Sequence, residues 1–344
     1  MTNAVTKPHR RKKRVARTLC ADQIVFGLFS IFCLLLILRN SEAAIAYVTR
    51  GLLLCARTVI PSLFPFMVLS ELIVAGGFGR ALIRRIYTPI KRLFALSEAG
   101  CCAFLLGIVC GFPIGARCAV SAYDRGEMSK SECERVLCIS GAPSSAFLIS
   151  AVGASLWESR TFGIALYASV IAASLVTAFV LAQIKKNSAA DAPDEFAALS
   201  APTLRGAPLF THAVRSATEG ILSVSAYVIF FSALTGTVEL VLSPLSPSSL
   251  VLAAITSILE LSGGVSQAAA LDHASVAAIL TAAAAGWSGL SVHCQILSVT
   301  DGRALSLRPY FLSKLFQSIL AAIFLALLIY IFPALLSSSN TGGL

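Results

Sequence analysis

The run Gly111-Phe112-Pro113-Ile114-Gly115-Ala116-Arg117 stands inside an otherwise apolar stretch of membrane length, residues 99–123. Two glycines and a proline break a helix there, and Arg117 adds a permanent charge. Non-helical backbone at membrane depth survives only where it is buried in protein or lines a wet cavity, because lipid offers the freed N–H and C=O groups no partner. An ionisable residue at that depth is by default a candidate functional group. The pattern is that of a transporter built around broken helices.

The rest of the chain agrees with a polytopic all-α membrane protein. Hydrophobic residues make up 57% and charged residues 13%, against about 25% charged in a soluble chain, and mean hydropathy is +0.83. The apolar runs amount to roughly eight hydrophobic segments, longer than a soluble core needs. The net charge of +10 is concentrated in two blocks. Lys7, Arg10, Arg11, Lys12, Lys13, Arg14 and Arg17 precede the first span (24–38), and Arg80, Arg84, Arg85, Lys91 and Arg92 follow the apolar region 59–75. By the positive-inside rule both blocks are cytoplasmic, the N-terminus included. Topology thus explains the basic arm without nucleic acid, and no small-residue cleavage site marks it as a removable signal.

Five regions follow: a basic arm (1–23), a first membrane half (24–186), a polar linker (187–208), a second membrane half (209–333) and a tail (334–344). Residues 80–94 read as a basic amphipathic helix on the inner surface. Ser129 and Glu132 have capping-box spacing for the helix that follows. The segment 136–156 carries a second interruption, Gly141-Ala142-Pro143-Ser144-Ser145. In the second half, interruptions fall at Glu260-Leu261-Ser262-Gly263-Gly264 and at residues 286–295. The halves share an order of features: Glu71-Leu72, Gly76-Gly77, the Gly111–Gly115 break and Arg117-Cys118 against Glu260-Leu261, Gly263-Gly264, Gly286-Trp287-Ser288-Gly289 and His293-Cys294. Paired interrupted segments of this kind point to a binding site at the interface of two repeats, formed by broken helices or re-entrant hairpins.

Half-helix N-termini suit anionic groups, and C-terminal ends suit cations. Gly111, Pro113 and Gly115 supply one break, and Arg117 offers a bidentate fork for a carboxylate. Ser144 and Ser145 add hydroxyls at the second interruption. In the other half Ser288, Ser291 and Gln295 are spaced to share one helix face beside Gly289, with His293 on another side. Substrate contact and helix–helix hydrogen bonding both suit these groups. Glu71 and Glu260 are candidates for ion coupling, and equally for structural pairing with an arginine. Ten cysteines, scattered mostly in apolar segments without a CxxC pair, read as small hydrophobes rather than metal ligands. No catalytic constellation, P-loop or cofactor motif is present, so an enzyme is not expected.

Several motifs carry a family resemblance. Pro61-Ser62-Leu63-Phe64-Pro65-Phe66, the Gly111–Arg117 run, Ser131-Glu132-x-Glu134-Arg135 and Gly289-Leu290-Ser291-Val292-His293-x-Gln295 resemble the YlbJ-type sporulation integral membrane proteins of the nucleoside-recognition (Gate) domain group. The resemblance covers about residues 45–330. It implies repeated hairpins with broken helices, and transport of dipicolinic acid across the outer forespore membrane during sporulation. This chain has Arg117 where the family carries Lys, and no Asn within residues 141–145. The expected partners are a small anionic substrate and the lipid bilayer, with a homo-oligomer allowed. Alternatives are a nucleoside or ion transporter of the Gate group, or a non-transporting scaffold for spore assembly acting through the basic arm.

Overall fold

The computed structural model describes residues 21–78, 83, 87–187 and 205–337. The basic arm up to residue 20, Arg80, Arg84 and Arg85, linker residues 188–204 and tail residues 338–344 lie outside them. Among the described residues every regular element is helical. They fall into two units divided between Glu42 and Ala43. The first contains α1 (Ala21–Arg39), whose Leu28, Ile31, Leu34, Leu35 and Leu38 are exposed, a surface suited to lipid rather than water.

The division falls in the first turn of α2 (Ser41–Leu54), which in the second unit runs through a π-helical turn, Cys55–Val59, into α3 (Ile60–Ala75). The short basic helix α4 (Tyr87–Phe94) meets α5 (Glu98–Cys110) at 95°. Phe94 anchors that corner, edge-on to Phe104 at 5.8 Å.

From α5 onward one order of elements occurs twice. A hairpin, α5 with α6 (Phe112–Asp124), is followed by an interrupted helix: α7 (Lys130–Ile139), a break, and the π-helical Ala146–Leu156. The long α8 (Arg160–Asn187) closes this half. After α9 (Gly206–Leu242) comes a second hairpin, α10 (Ser249–Leu259) with α11 (Leu261–Ala269). Then follow a second interrupted helix, α12 (Ala274–Trp287) with α13 (Gly289–Thr300), and the long α14 (Arg308–Ile331).

The hairpin limbs are 13, 13, 11 and 9 residues long. At about 1.5 Å per residue even the longest reaches about 20 Å, short of the roughly 30 Å hydrocarbon core. No limb is therefore long enough to span on its own, a length suited to a re-entrant hairpin. Among the described residues four helices are long and apolar enough to cross a membrane, or up to six if two broken helix pairs each count as one; the roughly eight segments read from sequence resolve into these and the hairpins.

Small residues let the limbs touch. A Cβ on Gly115 would stand 2.7 Å from the Gly107 Cα, and one on Gly264 would collide with the Ser257 backbone. Two apolar cores follow the repeat. One surrounds the first hairpin (Phe104, Ile114, Val136, Leu137), and the other joins the second hairpin to α8, α12 and α14 (Val265, Ala285, Leu166, Leu325).

Polar side chains fix the hairpin bases. Ser129 caps α7 by accepting from the Glu132 N–H at 3.2 Å. The Glu132 carboxylate does not complete a capping box; it accepts from the Ser97 N–H at 2.6 Å and so ties α7 to the start of α5. The α13–α14 connection clamps the same region: Arg303 donates to both Asp124 oxygens at 2.8 and 2.6 Å, and the Ser306 N–H donates to Glu134 at 2.6 Å.

Two predictions follow from this packing. Gly115→Val or Gly264→Val forces the hairpin limbs apart and should cost at least about 1–3 kcal/mol, read as a lowered thermal midpoint of the purified protein. The second concerns Asp124, whose carboxyl is held below its ordinary range by hydrogen bonds from Arg303. A lowered folded value means that this contribution is present above the ordinary carboxylate range and is lost as pH falls through the lowered value. Both side chains are partly exposed, so the pair is worth less than about 1 kcal/mol. Arg303→Ala should lower the midpoint slightly at pH 7, and the gap should close in acid.

Candidate functional site

A helix broken inside a membrane frees backbone groups at both new ends, and each must find a partner. The first hairpin turns at Gly111, whose φ of 99° favours glycine and which caps α6 without any side-chain bond. Its tip rests on the interruption of the neighbouring helix: a Cβ on Gly111 would meet the Ser144 backbone nitrogen and Cβ at 3.0 Å. Carbonyls in the last turn of α5 are bonded from outside, Ile108 by the Tyr167 hydroxyl at 2.9 Å and Val109 by the Ser145 hydroxyl at 3.2 Å. Ser144 accepts from the Phe147 N–H at 3.2 Å, capping the π-helical half.

The second hairpin repeats this arrangement. It turns at Glu260, whose carboxylate accepts from the Ser262 and Gly263 N–H groups at 2.9 and 2.6 Å and so caps α11. The tip rests on the other interruption, where a Cβ on Gly289 (φ 80°) would meet the Leu261 nitrogen at 2.9 Å. Trp287 donates its indole N–H to Ile258 in the last turn of α10 at 3.2 Å. The breaks therefore pair as Gly111 with Glu260, and 140–145 with 288–289. Glu71, aligned with Glu260 on sequence, lies instead on α3, outside both hairpins.

The C-terminal end of α7 is satisfied by α14. Ser313 and Gln317 donate to the Cys138 carbonyl at 3.3 and 2.8 Å. The Lys314 ammonium donates to the Gly141 carbonyl and, at 3.1 Å, to the Gln317 side-chain carbonyl. Lys314 is 0% exposed and forms no ion pair among the described residues. Tyr310, Ser313, Lys314 and Gln317 lie in a segment so apolar overall that sequence reasoning does not single them out. Their spacing of i, i+3, i+4 and i+7 was nevertheless the available signal of one buried helix face. The opposite face of α14 (Leu312, Leu315, Ile319, Ile323, Leu327) is exposed, apolar and suited to lipid.

The second-half candidates are buried around the other break. Ser288 does not share a helix face with Ser291 and Gln295. With φ of 76° it forms the break itself, and its hydroxyl turns back to the Ala285 carbonyl at 3.2 Å. His293 Nδ1 bonds the Tyr310 hydroxyl at 2.8 Å, and its ring lies edge-on to Trp287 and Phe311 at 4.3 and 5.2 Å. Its Nε2, Ser291 Oγ, Gln295 Oε1 and, at the first break, Ser140 Oγ are buried with no hydrogen-bond partner among the described residues.

Arg117 lies apart from these groups. Its guanidinium donates to the Ser216 carbonyl and hydroxyl on α9 at 3.0 and 2.9 Å. It lines a pocket with Met67, Ser70, Glu71, Ile114 and Ser216 that includes none of the second-half candidates. Glu71 faces His212 at 3.4 Å. Asp124, the acid nearest to Arg117 in sequence, is engaged by Arg303. A further acid, Glu239 on α9, accepts from the Tyr47 hydroxyl at 2.8 Å, from Thr256 at 3.4 Å and from Gln267. It thus joins α2, α9 and the second hairpin through neutral donors.

These features define an α-helical integral membrane protein with two helical hairpins, each docked on an interrupted helix. Its sequence is 23% identical over 337 residues to the Sporulation integral membrane protein YlbJ of Bacillus subtilis (strain 168), covering 89% of this chain and 83% of that protein. The YlbJ-type resemblance read from the motifs therefore holds, and the broken hairpins are consistent with the Gate kinship. No family model matches the chain, and no solved structure matches it.

Gln317→Leu tests the account of the first break. It strips the Cys138 carbonyl of its shorter bond and Lys314 of one acceptor, and should cost about 1–3 kcal/mol, read as a lowered thermal midpoint.

Proposed function

We propose that the protein is a secondary transporter of a small anionic metabolite, with dipicolinate crossing the outer forespore membrane during sporulation as the leading case. The observation that carries this reading is the pair of hairpin tips docked on two helix breaks. Discontinuous helices of this kind present half-helix ends to ligands near the membrane midplane. Glu260 occupies the N-terminus of α11 with its own carboxylate. The N-termini of α6 and α13 carry no side-chain cap, and N-terminal ends of this kind favour anionic groups. Buried polar atoms without partners at Ser140, Ser291, His293 and Gln295 supply further donors and acceptors. The sporulation name of the Bacillus relative supports the physiological setting.

In this reading Arg117 provides the positive charge of a pocket below the first tip, where it attracts and orients the anion. Glu71 shares that pocket and is the nearer candidate for ion coupling, since the Glu260 carboxylate is spent on a helix cap. We assign no chemical transformation to the protein. A scaffold role would reside in the basic arm rather than in the breaks.

Uptake of labelled dipicolinate into vesicles holding the protein tests the proposal. Saturable uptake is expected, reduced roughly tenfold or more in Arg117→Ala through loss of charge-assisted bonds. Unchanged uptake in a folded Arg117→Ala protein would remove Arg117 from the pathway. Absence of uptake by intact protein under any imposed gradient would overturn transport of this substrate, and failure of sporulation on deleting residues 1–18 from a correctly inserted protein would then favour the scaffold.

A further inference from the structure

Lys314 is the one fully buried lysine among the described residues, and its surroundings are those of a bound cation rather than of an ion pair. Both acceptors of its ammonium are neutral oxygens: the Gly141 carbonyl, one residue beyond the C-cap of α7, and the Gln317 amide. The carbonyl end of a half-helix carries partial negative charge. In transporters with broken helices, such ends and the unwound carbonyls beside them coordinate coupling cations. Room at this place is shaped for the lysine, since a Cβ on Gly141 would stand 2.8 Å from Lys314 Cε and 2.9 Å from Nζ. The stem has no role as filler that a leucine would not serve, and burying an unpaired ammonium is costly unless its hydrogen bonds are supplied.

We propose that the carbonyl end of α7 is a monovalent-cation site that the chain fills with its own Lys314 ammonium. The tethered charge neutralises the half-helix end, so no dissolved cation has to bind there; only the consequence that no sodium is coupled through this end rests on the transporter reading above.

Thermal unfolding of the purified protein, in sodium, choline or ethylammonium chloride at equal ionic strength, tests the site without any transport assay. The wild-type midpoint should be the same in all three salts. Lys314→Ala, which leaves the oxygens facing an empty space, should unfold roughly 5 °C or more lower in choline. It should regain at least half of that loss in ethylammonium or sodium, and Lys314→Met, which fills the space with an apolar chain, should regain none. Equal midpoints of Lys314→Ala in the three salts would overturn the proposal. So would saturable stabilisation by sodium over choline that the protein with Lys314 intact keeps in Glu71→Gln, which removes the other cation candidate. Dipicolinate uptake does not enter this readout, so failure of the cation site and failure of the transporter reading are separate results.

Discussion

Backbone hydrogen bonding at broken helices governs this molecule. Each interruption frees N–H and C=O groups where lipid cannot bond them. The structure answers with specific side chains: from other elements, Tyr167 and Ser145 for the end of α5, Trp287 for the end of α10, and Ser313, Lys314 and Gln317 for the end of α7; and from the hairpin's own turn, Glu260 for the start of α11. These bonds hold the hairpin tips against the interrupted helices. They also explain why Tyr310, Ser313, Lys314 and Gln317 lie on the buried face of α14 while Leu312, Leu315, Ile319, Ile323 and Leu327 lie on its exposed face.

The two breaks are chemically different although their geometry repeats. A buried anion caps the second hairpin, and a buried cation sits at the end of the first interrupted helix. Each sign matches the partial charge of the helix end it meets. The N-terminal ends of α6 and α13 have no such side-chain cap.

The breaks themselves were legible because glycine and proline mark them: Gly111 and Pro113, Gly141 and Pro143, Gly286 and Gly289. Their pairing was not. Gly111-Phe112-Pro113 resembles Gly286-Trp287-Ser288-Gly289 in composition, yet its structural counterpart is Glu260, which turns a hairpin by side-chain capping instead of by a glycine φ. Ser288 was misplaced on a helix face because nothing local reveals that it adopts φ of 76°. Arg117 was legible as a buried-depth charge, but its partner Ser216 lies 99 residues away, beyond any spacing argument. Lys314 and Glu239 were readable as charges within apolar segments, and the length of those segments drew attention from them.

Thiol cross-linking in native membranes tests the tip-on-break arrangement most directly. In a background with the ten native cysteines replaced by alanine or serine, the paired variants Val109→Cys with Ser145→Cys, and Ile258→Cys with Trp287→Cys, place thiols across the two junctions. Both pairs should be joined by a short bifunctional thiol reagent, and neither single variant should be. Failure of both pairs to cross-link in folded protein would contradict the docking of hairpin tips on helix breaks.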